Sequence, residues 1–227
     1  MKSLLGQTLG IVALILVTWL FGGCHDELIN NSDQIAGSGT IATRNVSLPE
    51  FKGIELTGIG DVYVRQDAVQ SIRIEADDNI IDRLLLDVHD GNLNIGIKKG
   101  SYSHTTIRIY ISVKSLELLE LTGAGSFAAV GPLDGSTLTC RIIGAGDMTL
   151  TGRTTNQVIV LEGAGSVHGF DLESAQCSVM LSGTGSAEVN VTQRLEATIS
   201  GVGSIIYAGN PQEVIPHVSG VGSIHRR

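Results

Sequence analysis

One short pattern constrains this chain more than any other: Gly-x-Gly followed by a small polar residue, returning at a nearly fixed interval from Leu116 to Arg227. The copies begin at Gly123, Gly144, Gly163, Gly183, Gly201 and Gly220, so first glycines lie 21, 19, 20, 18 and 19 residues apart. A period near twenty residues over six copies is the mark of a chain wound into stacked coils, each burying its apolar face only against its neighbours. Counting back from each first glycine, every second residue is mostly apolar, which is strand alternation and not helix periodicity. Leu121, Ile142, Leu161, Leu181, Ile199 and Val218 form one inward column, and Leu119, Cys140, Ile159, Val179, Ala197 and Pro216 a second. Ser126, Asp147, Ser166, Ser186, Ser204 and Ser223 form a polar column just past the second glycine. Glycine belongs where a tight bend needs positive φ or where backbones approach closely, so each Gly-x-Gly is read as a coil corner. The expected fold is all-β: a parallel β-helix-like solenoid with coils of about 19–20 residues.

Two other readings of the motif fail on composition. A dinucleotide fingerprint needs a third glycine, a following helix and a later acidic residue, and no copy supplies them. Calcium-binding nonapeptide repeats need tandem Gly-Gly-x-Gly-x-Asp, and only the corners ending in Asp61 and Asp147 carry the aspartate.

Residues 1–23 read as an export signal: Lys2, then an uncharged apolar run through Ile11–Val17 to Trp19-Leu20-Phe21-Gly22-Gly23. The small pair before Cys24 resembles the lipobox of bacterial lipoproteins, although Phe21 stands where Leu is usual. That resemblance implies cleavage before Cys24 and acylation of its thiol, which makes a membrane the expected partner at this end. An ordinary secretory signal or an uncleaved anchor is the alternative. An anchor is opposed by the missing basic stop and by His25-Asp26-Glu27 immediately after the run. Cleavage would leave 204 residues and move the formal net charge from −8 to −9 with the loss of Lys2. Nucleic acid is therefore not an expected partner. Residues 24–36 read as a polar, flexible tether. Cys140 and Cys177 fall two coils apart on the inward column, on the order of 10 Å from each other and beyond disulfide reach.

Residues 37–227 read as one solenoid domain, regular over 116–227 and irregular over 37–115. A seventh corner, Gly58-Ile59-Gly60-Asp61, lies 65 residues before Gly123, a gap that would hold about three coils but lacks glycine corners. Within it, Asp90-Gly91 between alternating runs predicts a hairpin. Thr105–Val113 reads as a strand, and Lys98–His104 as an exposed loop. Glu75, Asp77, Asp78, Asp82, Asp87 and Asp90 are the only candidates for carboxylate chemistry. Glycoside cleavage would need paired acids in a cleft lined by sugar-stacking aromatics, and a chain cleaved before Cys24 has no Trp and few Tyr or Phe. His25, His89, His104, His168, His217 and His225 are scattered singly, without metal-ligand spacing. No catalytic residue, metal ligand or cofactor is expected.

Three segments in this order, Phe51–Val62, Asp90–Ile95 and Leu116–Gly125, closely resemble the auto-transporter adhesin head GIN domain family. The resemblance covers nearly all of the chain beyond Cys24. It implies a β-solenoid related in shape to pectate-lyase-like helices, membership among secreted or lipid-anchored envelope proteins of Bacteroidetes-type bacteria, and no catalytic residues. The expectation is a lipid-anchored outer-membrane protein, on the cell surface or the periplasmic face, that binds or displays. A glycan, a cell-surface protein or a second copy of the chain is the expected partner, the last because the final coil shows no obvious cap. The rivals are a parallel-helix enzyme, either a polysaccharide lyase or a hexapeptide acyltransferase, and a purely structural spacer. Hexapeptide coils would carry an aliphatic-Gly pair every six residues, whereas this chain has one corner per coil.

Overall fold

A computed structural model describes residues 34–227; the apolar leader, Cys24, His25 and all but the last three residues of the 24–36 stretch lie outside the described residues. The irregular half contributes β1 (Gln34–Ala36), β2 (Ile41–Val46), β3 (Gly53–Leu56), β4 (Ile59–Gln66) and β5 (Ser71–Asp77), then a 3-10 turn at Ile81–Arg83, β6 (Leu84–His89), β7 (Asn92–Ile97), β8 (Ser101–Ser103) and β9 (Ile107–Val113). The regular half contributes β10 (Leu118–Leu121), β11 (Ala124–Ala129), β12 (Leu133–Ile142), β13 (Ala145–Leu161), β14 (Ala164–Leu181), β15 (Thr184–Ile199), β16 (Val202–Gly209), β17 (Glu213–Val218) and β18 (Val221–Arg226).

The regular half is the solenoid that the period implies. Parallel in-register pairing stacks Leu121 on Ile142, Leu161, Leu181 and Ile199, all fully buried. Each such aliphatic side chain contributes about 1.5–3 kcal/mol on burial, so the column is a main source of stability. Val218 is the last of the column among the described residues and is 49% exposed. Cys140 and Cys177 are free, buried and separated by the intervening strand β13, as their spacing predicts. One difference is that β13, β14 and β15 run through 16 to 18 residues each, so in these coils only the glycine corner interrupts the strand, and register shifts fall inside it.

The corner itself is a close approach. A Cβ placed on Gly146 would lie 1.7 Å from the Gly125 carbonyl oxygen of the coil below, and Gly146 has φ of +147°. Its neighbour Ala145 donates its N–H to Gly123 O at 3.0 Å. Only glycine lets the coils close to hydrogen-bonding distance at this point.

The 65-residue gap does not hold three further coils. The seventh corner stacks directly on the first regular one, Gly60 beside Gly125 and Asp61 beside Ser126. The chain instead passes beneath that coil: β7 pairs parallel with β3, and β9 pairs parallel with β4. The rest of the gap closes the end with antiparallel strands, β6 on β7 and β5 on β9, with β2 outside β5. A coil stack needs such a cap because its first layer otherwise presents unpaired backbone and an open core. The hairpin forms as predicted, with Asp90 and Gly91 at φ of +49° and +77°, the two positive values that a type I′ turn requires.

Two expected boundaries move. Gln34–Ala36, placed in the tether, form β1 and pair with Ser101–Ser103 in the expected loop. The cause is Ile35, which packs against the core together with Tyr102. At the other end β17 and β18 are the last strands, each with one pairing partner among the described residues.

Candidate functional site

Where the antiparallel cap meets the first coils, four neighbouring strands turn their polar faces to one side. Alternation sends Val62, Val64, Ile72, Ile74, Ile109 and Ile111 into the core and leaves Tyr63, Arg65, Ser71, Arg73, Tyr110 and Ser112 between them. Register then sets who meets whom. Asn45 of β2, Arg73 of β5, Tyr110 of β9, Tyr63 of β4 and Ala128 of β11 form one row across five strands. Ser71, Ser112 and Arg65 form the next row, two residues further along.

Within the first row the Tyr63 and Tyr110 rings stack with centroids 5.0 Å apart and planes 16° apart. The Arg73 guanidinium carbon lies 4.3 Å from the Tyr110 ring centre, covering its other face. Such stacking contributes about 0.5–1.5 kcal/mol beyond burial and holds the rings still. Arg73 is tied at its outer end to Glu75. In the second row Arg65 donates from Nε to Ser112 Oγ at 2.8 Å and reaches Asp67 at 3.1 Å with Nη2. Burial first, and then the neighbouring Glu75 carboxylate, raise the Tyr110 phenol above its ordinary pKa, so it stays a protonated donor.

The segment between β2 and β3 forms a wall. Gln70 holds it in place, accepting from Phe51 N at 3.2 Å and donating to Leu48 O at 3.2 Å and Pro49 O at 2.9 Å. Together with Ser47, Leu48 and Val130 these residues enclose a groove of about 610 Å³, within the usual size range of ligand sites. Its lining contains no carboxylate, imidazole or thiol.

Of the acidic candidates, Glu75 stands at the rim of this groove beside Arg73 and Tyr110, and the others lie away from it. Asp77 is buried and acts as a structural pin, accepting from Gly39 N at 2.7 Å and from Thr106 N at 2.6 Å. Asp78 accepts from Ser38 Oγ at 2.6 Å, and Asp82 lies 3.3 Å from Arg44 Nη1. Asp87 stays on β6, and Asp90 sits at the hairpin tip, 3.4 Å from His89 Nδ1. Of the other histidines, His168 meets half-buried Glu188 at 3.1 Å and His225 meets Ser223 Oγ at 3.3 Å. At the corners, Ser126 Oγ donates to Asp61 at 2.7 Å, Ser166 N to Asp147 at 2.8 Å, and Ser186 Oγ to Ser166 Oγ at 3.0 Å. These contacts make a ladder between coils. Among the described residues no group of three or more His, Cys, Asp or Glu could hold a metal ion.

Sequence reasoning passed over the tyrosines because aromatic residues are scarce in the chain. A local signal was present: each stands on the polar side of an alternating strand, as Val62-Tyr63-Val64 and Ile109-Tyr110-Ile111, with a hydrogen-bonding residue two positions on.

A family model described as "Putative auto-transporter adhesin, head GIN domain" matches residues 50–211. Among solved structures, a putative adhesin from Bacteroides fragilis aligns at a TM-score of 0.68 with 22% identity, covering 85% of this chain and 100% of that one. A putative adhesin from Parabacteroides distasonis aligns at 0.53 with 20% identity, over 86% and 100% of the two chains. A putative lipid binding protein from the same organism aligns at 0.50 with 21% identity, over 86% and 99%. At these identities the likeness is one of fold. No curated protein matches the chain.

Proposed function

Since the chain belongs to the auto-transporter adhesin head GIN domain family, we propose that it is a cell-envelope module that binds a ligand through the groove between its cap and its first coils. The observation that carries this is the groove's lining: fixed aromatic rings, hydrogen-bond donors and aliphatic carbon. Such a lining can recognise and orient a ligand. The solenoid supplies a stiff support, since each coil is held to its neighbours by a continuous ladder and core.

In this reading Cys24 carries the lipid that ties the module to the outer membrane. Residues 25–33 would then space the first strand from the bilayer. Two measurements test the two parts. Protease treatment of intact cells, with a periplasmic control and a Cys24→Ala variant, reports location and anchoring. Digestion of the wild type on intact cells, and loss of membrane association in Cys24→Ala, are the expected results; protection until the outer membrane is opened would move the module to the periplasm. Retention of envelope glycan or protein by the purified chain, lost in Tyr63→Thr, is the result expected of a binding groove. Equal retention by Tyr63→Thr would remove the groove from the function, and no retention at all would favour a structural spacer.

A further inference from the structure

The two faces of the solenoid end unevenly at the cap. Counted from the coil that holds β3 and β4, one face continues through β9, β5 and β2, whereas the other continues through β7 and β6 only. Among the described residues the sheet is thus one strand short beside β6.

The edge left there is open and regular. The two-residue turn at Asp90-Gly91 makes His89 and Asn92 a hydrogen-bonded pair, and the bond from Lys98 N to Arg83 O keeps the same phase at the other end of the strand. Leu84, Leu86 and Val88 therefore turn their N–H and C=O groups away from β7. Ile81 O accepts from Leu84 N–H, which leaves both backbone groups of Leu86 and of Val88, and the Leu84 carbonyl, without partners among the described residues. These are the donors and acceptors that a further strand would use. Leu86 and Val88 pack on the core yet are only half-buried, which is the cover that one missing strand withholds.

Proteins usually blunt such an edge with an inward charge, a lysine, a proline or a bulge. β2, the edge strand of the opposite face, carries the first of these as Arg44, on the same side as half-buried Ala42 and Val46. β6 carries none of the four. What it does carry is exposed Asp87 on its outer side. Register continues that position across the face as Asn94, Glu55, Glu120 and Arg141. Arg141 answers Glu120 at 3.2 Å, while Asp87 and Glu55 meet no cation among the described residues. The outer row at this end is acidic and unanswered.

We propose that β6 is a docking edge for an extended segment of a partner protein in which apolar residues alternate with basic ones. The open groups of Leu86 and Val88 pair with the backbone of that segment, and its apolar side chains cover Leu86 and Val88. Its basic side chain lies beside Asp87 on the outer face, where opposite charges on adjacent strands attract. No residue of β6 lines the groove, so this contact is separate from ligand binding there.

Site-resolved hydrogen exchange on the full chain tests this, with a heptapeptide of alternating valine and lysine as probe and its valine and glutamate counterpart as control. Exchange at the Leu86 and Val88 amides is expected to slow by about tenfold or more with the lysine peptide and by less than about twofold with the glutamate peptide. Val88→Pro removes an open donor and no bond to β7, so it should abolish the slowing at Leu86 while urea unfolding finds the protein folded. Asp87→Lys should reverse the preference between the two peptides, and it remains decisive if Val88→Pro does not fold. Equal slowing by both peptides overturns the basic-partner assignment. No slowing at Leu86 and Val88, or slowing at β2 or β17 instead, overturns the docking edge. Slowing that grows with protein concentration in the absence of peptide would show that a second copy of the chain fills the edge, and it would overturn the assignment as well.

Discussion

Substituting Gly146 by alanine tests the central claim about the coils, that their spacing is set by backbone contact at the glycine corners. The new Cβ would stand 1.7 Å from Gly125 O and 3.0 Å from Leu121 Cδ2. Restoring an ordinary contact needs the two coils to part locally by more than about 1 Å. The adjacent bonds from Ala145 N to Gly123 O and from Gly144 N to Leu121 O, both 3.0 Å, cannot survive that movement. Two ladder bonds at about 1 kcal/mol each are lost, and φ of +147° costs an alanine a further 1–3 kcal/mol or so. The expected destabilisation is about 3–5 kcal/mol, a large share of the roughly 5–15 kcal/mol that holds a domain together. Gly91→Ala is the internal control: φ is +77° there, but nothing lies within 4 Å of the added carbon. It should cost only about 1–2 kcal/mol, the intrinsic penalty of the left-handed region. Urea unfolding followed by circular dichroism compares the two variants with wild type. If Gly146→Ala is no more costly than Gly91→Ala, the corner is not a contact and the physical account of the repeat is wrong.

Four further expectations follow from buried groups. Burial pushes the Cys140 thiol up to about 12, and burial together with the nearby Cys140 raises Cys177 as well. Both should resist thiol reagents at pH 8 until the protein unfolds, and fast modification of the native protein would show that the core is open. Because the folded state holds these protons more tightly, their contribution is complete below pH 9 and is lost as pH rises towards 12. The loss is at most about 1.4 kcal/mol per thiol per pH unit, so wild type should lose more stability between pH 8 and pH 10.5 than the Cys140→Val/Cys177→Val variant. Identical losses would refute this. Asp77→Ala should cost about 2–4 kcal/mol by leaving the Gly39 and Thr106 amides without their acceptor. Hydrogen exchange should quicken at those two amides and not in β13–β15, and uniform quickening would mean that the cap is not a separate unit. Phe127→Ala should cost about 3–5 kcal/mol at a side chain 1% exposed; a loss under 1 kcal/mol by urea unfolding would show that the core collapses around it.

The balance between sequence and structure can be followed residue by residue. The alternation around Leu121, Ile142, Leu161, Leu181 and Ile199, with glycine at a shared offset, fixes both the inward face and the register of each coil on the next. Asp90-Gly91 specifies its turn because only residues that tolerate positive φ fit there. The spacing of Cys140 and Cys177 excludes a disulfide before any coordinates are known. Each of these rests on local stereochemistry or on a motif repeated often enough to define its own neighbour.

The groove is different in kind. Alternation shows that Tyr63 and Tyr110 face outward, but they lie 47 residues apart and no repeated motif relates them. Their contact exists because β9 passes beneath β4 and not above the last coil, and because β5 turns back antiparallel to bring Arg73 over Tyr110. A strand without a glycine corner carries no mark of which coil it will stack on, so that choice falls to the fit of side chains around the whole end of the solenoid. The repeat in the sequence determined how the coils are made, while only the packing of the cap decided that two tyrosines, two arginines and a wall of loop would enclose a groove.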